Sequence, residues 1–420
     1  MATNEIWDAV IIGGGPAGMM AANQAAKNGA RVLIVEKNEG LGKKLLITGG
    51  GRCNITNAEF DNRKLLAKFA GSDQFLFSAF SQWSVQNTLN FFHGHGLETK
   101  VEAEQRVFPI TNKAESVWQV LVNELKTQNV TVRSNATVTG LEKSEIDKSI
   151  TGIILKNGEV IKAKSVVLAT GGKSHPETGS TGDGFKWLKT LGHTIVEPTA
   201  SLVPLAIRDS WITKLQGVTL PEVNISLLQN GKKQKKIKGK ILFTHFGVTG
   251  PTILNLSQQV RELLGYDKVF LSLDLVPHLT LENLDTKIQE IVRTEASNKK
   301  IKNSLGLLIT PATLAEAVLD QAEINADTWS HSLKREERLR LGQTIKNLKM
   351  AVQGLLGEDK AIVTAGGVAL NEVDFKTMRS RLYDNLYLVG DTLNINRPSG
   401  GYSLQLCWTT GFVAGNNIRS

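Results

Sequence analysis

The 420-residue chain is short of several things that would place it quickly. It has two cysteines, Cys53 and Cys407, which excludes a disulfide framework and suits a reducing compartment. No apolar run reaches the ~18 residues of a membrane-spanning helix, so no membrane partner is expected. No basic leader or cleavage signal precedes the strand pattern at Ile6, and a cytoplasmic location is expected. There is no internal repeat and no low-complexity segment. Charged residues make up 21% of the chain, too few for a disordered one. His93 and His95 flank Gly94, but no carboxylate or cysteine completes a shell around them, so no metal is expected. Acid is also scarce relative to base. Forty acidic residues face 49 basic ones, giving a net charge of +9 and a pI near 9.3. Such a balance either favours a polyanion, through steering and counterion release, or reflects nothing in particular.

What is present begins with a β-α-β pattern. Asp8 to Ile12 is an apolar run that breaks at Gly13-Gly14-Gly15-Pro16. A helix pattern runs from Ala17 to Asn28, Gly29 closes it, and Arg31 to Lys37 is a second buried strand. The glycines follow the spacing Gly13-x-Gly15-x-x-Gly18. Gly13 permits the tight turn, Gly15 lets a pyrophosphate approach the backbone, and Gly18 lets helix and strand pack closely. Pro16 and Ala17 open the helix, whose N-terminus presents the positive end of its dipole. Glu36, followed by Lys37, ends the second strand, placed to accept a hydrogen bond from a ribose 2′-OH. These residues predict a dinucleotide site.

Two later stretches separate FAD from NAD. Ser165 to Thr170 is a buried strand ending in Gly171-Gly172, similar to the "ATG" strand of FAD proteins. Leu386 to Asp391 resembles their late "GD" motif. Ala169, Thr170, Gly171, Gly390 and Asp391 are therefore assigned to FAD. No second glycine fingerprint exists, so a nicotinamide donor, NADPH or NADH, is expected to bind transiently against the flavin.

Longer motifs carry a resemblance over nearly the whole chain. "GKKLLITGGGRCNITN" from Gly42, "GGKSHPETGSTGDG" from Gly171, "LVPL" from Leu202, "FTHFGVTGP" from Phe243, "VTAGGVAL" from Val363 and "LYLVGDTLNI" from Leu386 resemble the BaiN/YhiN (HI0933-like) flavoproteins. The resemblance implies an α/β fold: a Rossmann-like FAD-binding domain of the glutathione-reductase-2 type, interrupted by an inserted β-barrel and a helical domain. The expected divisions are 1–195 and 356–420 for the FAD domain, 196–275 for the barrel and 276–355 for the helices. The resemblance also implies that Lys44, Thr48, Gly49, Gly50, Gly51, Arg52, Cys53, Gly401 and Tyr402 belong to the cofactor site. One branch of the family resembles ribosomal RNA dihydrouridine synthases, and another is associated with reduction of a steroid enone. Near the end the family pattern is "GGYN-x-Q" with an acidic lead-in. Here Arg397 stands in the lead-in and Ser403 follows Gly400-Gly401-Tyr402.

Three residues are candidates for catalysis. Three glycines in a row leave room for a flat ring against main chain, where a Cβ would intrude. Arg52 beside them either stabilises negative charge on the reduced ring or sits in a surface ion pair. Cys53 is either a general acid or a small packing residue. His245 is an acid, a partner for a base, or a turn residue. Lys232, Lys233, Lys235, Lys236, Lys238 and Lys240 crowd one hairpin, as a solvated tip or as partners for phosphate. Three functions follow: reduction of a uridine in ribosomal RNA with electrons from NAD(P)H, reduction of a small enone, or a non-catalytic flavin-bearing RNA-binding factor. The oligomeric state is open.

Overall fold

The computed structural model describes residues 5–69, 71–293, 298–356 and 363–418. These form two compact units, residues 5–201 with 363–418 and residues 202–356. The first is built on a seven-stranded sheet. Thr131–Arg133, Val32–Val35, Ile6–Ile12 and Val160–Leu168 run parallel in that order, and Leu386–Leu388 pairs in parallel with the end of Val160–Leu168. Ile150–Leu155 and Val138–Lys143 extend the sheet antiparallel. Val32–Val35 is buried at every position, as expected of a parallel strand covered on both faces. The helix Pro16–Lys27 leaves the fingerprint turn, and the C-terminal helix Tyr402–Asn416 packs against it. Two glycines one turn apart allow that approach: a Cβ on Gly411 or Gly415 would lie 2.4 Å from the carbonyl of Ala17 or Ala21. The end of the chain is thereby brought beside its start.

The stretch 75–127 is expected from its sequence to be mostly helical. Helices Asp73–Gln82, Val85–Gly94 and Ala114–Thr127 do form there. Between them, however, Thr99–Glu102 and Arg106–Pro109 pair antiparallel and add Thr56–Asn57 as a third strand. Four-residue strands are too short to show a period of two. The expected boundary at residue 195 also moves: Ile195–Ser201 pairs antiparallel with Val363–Val368 and stays in the first unit.

The second unit is a closed six-stranded barrel with helices. Its strands are Leu205–Ile207, Gly247–Thr249, Lys232–Thr244, Thr219–Gln229, Val269–Asp274 and Leu348–Leu355 in barrel order. Ile225, Leu227, Ile241, Phe243, Leu271 and Leu273 fill it and are wholly buried. Helices Leu281–Arg293, Ile301–Leu305, Ala312–Gln321 and Arg335–Lys346 lie in sequence between the fifth and sixth strands. The last strand thus falls inside the stretch expected to be helical, because closure of the barrel requires a partner for both Val269–Asp274 and Leu205–Ile207. Among the described residues no helix is long and apolar enough to cross a membrane.

Candidate functional site

A cleft in the first unit opens along the C-terminal ends of its parallel strands, where ligands of such sheets bind. It encloses about 1260 Å³ of empty space, open mouth included. Gly13, Gly15, Pro16, Ala17, Glu36, Lys37, Lys44, Thr48, Ala169, Thr170, Gly171, Gly390 and Asp391 all line it. The fingerprint turn has the shape that the glycines dictate. Gly13 has φ +103°, and a Cβ there would lie 2.5 Å from the Ala169 carbonyl oxygen. A Cβ on Gly18 would lie 2.0 Å from the Gly13 carbonyl oxygen, so Gly18 serves packing and not the cleft wall. A Cβ on Gly15 would meet nothing within 4 Å, which leaves its backbone open to the cleft. The helix that follows has no side-chain cap and no acid in its first turn. Its unpaired N–H groups suit an anion such as a pyrophosphate.

Glu36 is buried, and its carboxylate is already engaged. Oε2 accepts from the Gly14 N–H at 2.8 Å, and Oε1 accepts from the Asn38 N–H at 2.8 Å and from Asn38 Nδ2 at 2.7 Å. The carboxylate therefore shapes the turn as well as facing the cleft. Its remaining lone pairs can accept from a ribose. Lys37 donates to Thr181 Oγ1 at 2.8 Å and lies 3.4 Å from Asp183 Oδ2. The Oγ1 of Thr170 is enclosed without a hydrogen-bond partner and lies against Gly184, behind the cleft wall. Backbone open at Gly15, an uncapped helix start and an acid at the strand end together fit FAD.

Lys44 is half-buried and donates to the Ser174 carbonyl at 2.6 Å and to Ser174 Oγ at 3.2 Å. Burial pushes its ammonium below the usual range, and the Asp391 carboxylate pushes it back up. Asp391 forms a part-buried ion pair with the buried Arg397. Arg397 also donates to the Ile395 carbonyl at 2.8 Å and to Ser403 Oγ at 3.0 Å. The two departures from the family pattern, Arg397 and Ser403, thus meet each other and hold the aspartate.

The glycine run is built differently from a simple loop. Lys43–Gly51 begins as a helix and breaks at Thr48, which has ψ 146°. Gly49, Gly50 and Gly51 then take φ of 58°, 69° and 82°, and Cys53 takes 60°. Thr48 lines the cleft; Gly49, Gly50, Gly51, Arg52 and Cys53 do not. Arg52 has the ion-pair surroundings. It bonds Glu102, donates to Asn112 Oδ1 at 2.7 Å from Nη2, and lies 4.1 Å over the Phe108 ring. Cys53 has the packing surroundings: it is wholly enclosed, and burial pushes its thiol up to about 12. Gly401 and Tyr402 lie behind the wall, where a Cβ on Gly401 would strike the Thr56 backbone at 2.3 Å, while Ser403 and Leu404 line the cleft. His245 belongs to the barrel unit. It is exposed at the tip of the Thr244–Gly247 turn, edge-on to Phe246 at 4.9 Å. His93 bonds Thr99 and His95 bonds Glu124, and no metal cluster exists among the described residues.

Sequence reasoning missed the second wall of the cleft, formed by Thr178, Gly179, Ser180, Thr181, Asp183 and Trp187. The signal was available in "GSTGDG", where small and polar residues open the helix Asp183–Thr190. Cys407, which reads from its apolar helix pattern as packing alone, is on the cleft wall, 3.5 Å from where a Cβ of Gly390 would stand.

Known proteins agree with this architecture. A 3-dehydro-bile acid delta(4,6)-reductase of Clostridium scindens is 30% identical over 96% of this chain and 97% of its own. A ribosomal RNA dihydrouridine synthase of Escherichia coli is 30% identical over 99% of this chain and 98% of its own. Among solved structures, a 3-ketosteroid delta1-dehydrogenase of Sterolibacterium denitrificans superimposes with TM-score 0.55 at 14% identity, over 99% of each chain. The profile described as HI0933-like protein Rossmann domain matches residues 7–417, and the chain, an oxidoreductase with a Rossmann-type FAD-binding domain, belongs to that family.

Proposed function

We propose that this protein reduces a uridine base in ribosomal RNA to dihydrouridine, with FAD as cofactor and NADPH or NADH as electron source. The observation that carries RNA over a small enone is the location of the positive charge. Residues 202–357 hold 21 Lys and Arg against 15 Asp and Glu, so +6 of the chain's +9 belongs to the inserted unit. Six of those cations, Lys232, Lys233, Lys235, Lys236, Lys238 and Lys240, lie exposed on one strand, and the rest of the unit balances. Lys236, Lys238 and Lys240 alternate along the strand, so they share one face at intervals of about 6.8 Å. Lys238 pairs with Glu222. An apolar substrate has no use for such a row. Lysines also protect an unpaired strand edge, and only Leu242 to Thr244 of this strand pair on its second side. The bile-acid relative favours the second reading, a small-molecule ene reductase.

FAD, when bound, supplies the two-electron transfer. The chain's own residues hold and orient it: the Gly15 backbone and the helix start for its phosphates, Glu36 for its ribose, Asp391 on the cleft wall. Cys53 has no open path to a substrate, so it is not the proton donor to C5 of the base. The base must leave its stack to react. The test is RNA affinity across a salt series for wild type and for Lys236→Ser/Lys238→Ser/Lys240→Ser. Every phosphate that goes unneutralised lowers the log–log slope by about 0.7 on single strands, so a fall of about two units is expected. Coincident slopes would remove the charge argument for RNA.

A further inference from the structure

We propose that Trp329 and His331, in the helical part of the second unit, form a stacking platform for an unpaired RNA base, with Lys299 and Lys300 reaching its flanking phosphates. The proposal rests on the reading that the substrate is RNA and adds a second binding point to the lysine strand. Trp329 is 47% exposed, an unusual fate for the largest side chain in a unit with an apolar core of its own. Its position is fixed and not frayed. Lys300 and Trp329 form a β-bridge, and the Ile301 N–H donates to the Thr328 carbonyl at 2.8 Å. Ser330 is wholly buried; its N–H donates to the Lys299 carbonyl at 2.9 Å, and its hydroxyl meets Ser304 Oγ at 2.7 Å. With residue 330 locked inward, residues 329 and 331 both face solvent. Their rings lie within 18° of parallel with centroids 6.3 Å apart.

The charge around the rings is that of a phosphate-facing surface. The Lys300 ammonium lies 4.1 Å from the indole centroid, and Lys299 is exposed beside it. The acid in this stretch, Asp327, is taken up by Lys302 at 2.9 Å. A base stacked on an indole is held more strongly than an exposed ammonium over it. Lys300 can therefore move from the ring to a phosphate when a base arrives. Every base has a face to stack, but only an unpaired one exposes it, so the platform fits single-stranded loops and not duplex.

The probe is a twelve-nucleotide single-stranded oligouridylate, with a twelve-base-pair RNA duplex beside it. Trp329→Ala should weaken oligouridylate binding roughly 5- to 100-fold with the salt slope unchanged, and leave duplex binding as it was. Trp329→Phe, which keeps a ring, should stay within about threefold of wild type. Oligouridylate should also quench wild-type tryptophan fluorescence by a component that Trp329→Phe lacks; this arm holds even if the alanine variant folds poorly. Wild-type affinity in Trp329→Ala, or equal quenching in wild type and Trp329→Phe, would overturn the platform. If the lysine-strand variant weakens binding while both Trp329 variants do not, only the platform falls. If wild type binds neither RNA, the RNA reading falls with it.

Discussion

Replacing Glu36 by alanine should destabilise the protein before any cofactor is added. A ribose acceptor alone would affect only FAD affinity, but this carboxylate also holds the fingerprint turn. It accepts a buried bond from the Gly14 N–H and two part-buried bonds from Asn38. Losing the buried partner leaves one main-chain donor unsatisfied, a cost of about 1–3 kcal/mol. The Asn38 bonds, nearer to solvent, add about 1 kcal/mol together. The expected loss is therefore about 2–4 kcal/mol in the apo-protein. Two units need not unfold in one step. The transition to follow in urea is the one that added FAD moves upward, since a ligand stabilises only the unit that binds it. Glu36→Gln keeps the size and an acceptor oxygen but loses the charge, and should fall between. FAD titration of the same variants then gives the affinity effect separately. If Glu36→Ala leaves apo stability within about 0.5 kcal/mol of wild type, the carboxylate does not hold the turn.

Burial holds the Lys44 ammonium below its usual range, so the unfolded chain binds more protons at high pH and stability should rise towards pH 10. Lys44→Met should flatten that rise in a pH series of melting curves; an equal rise in both would assign it elsewhere. Cys53 is enclosed with its thiol pushed up to about 12, so iodoacetamide at pH 8 should leave it unlabelled until the first unit unfolds. Mass mapping that finds Cys53 alkylated in folded protein would contradict its packing role. The Arg133 guanidinium holds the Glu159 carboxyl down to about 2 through two 2.6 Å bonds. That pair stabilises the protein above the ordinary carboxylate range and loses its effect as pH falls through about 2. It is largely solvent-exposed, so Glu159→Gln should cost no more than about 1 kcal/mol at neutral pH, measured by urea melts at pH 7 and pH 2.

Much of the FAD domain could be read from local chemistry. The fingerprint turn, the acid after the second strand and the late Gly390-Asp391 turn each state their geometry in a few consecutive residues. They converge on one cleft because parallel strands place their ends together. The strands at 99–109 escaped notice through their shortness, and the barrel's last strand through its distance from the other five. Closure of a barrel is a property of all six strands and leaves no mark within any one of them. Arg52 shows a further limit. An arginine after three glycines reads as an anion partner, but Glu102 and Asn112, fifty and sixty residues on, claim it instead. The pairing of Arg397 with Ser403 and Asp391 was equally invisible, since each residue alone only looked like a departure from a pattern.

Reduction of a uridine in RNA by an FAD protein is tested most directly with purified protein, FAD, NADPH or NADH, and large-subunit ribosomal RNA taken from cells lacking the gene. Nuclease fragments analysed by mass should show one uridine heavier by two hydrogens, absent without FAD and absent with the Lys236→Ser/Lys238→Ser/Lys240→Ser variant at physiological salt. An unchanged RNA mass alongside rapid reduction of a steroid enone by the same preparation would contradict the claim and assign the site to small molecules.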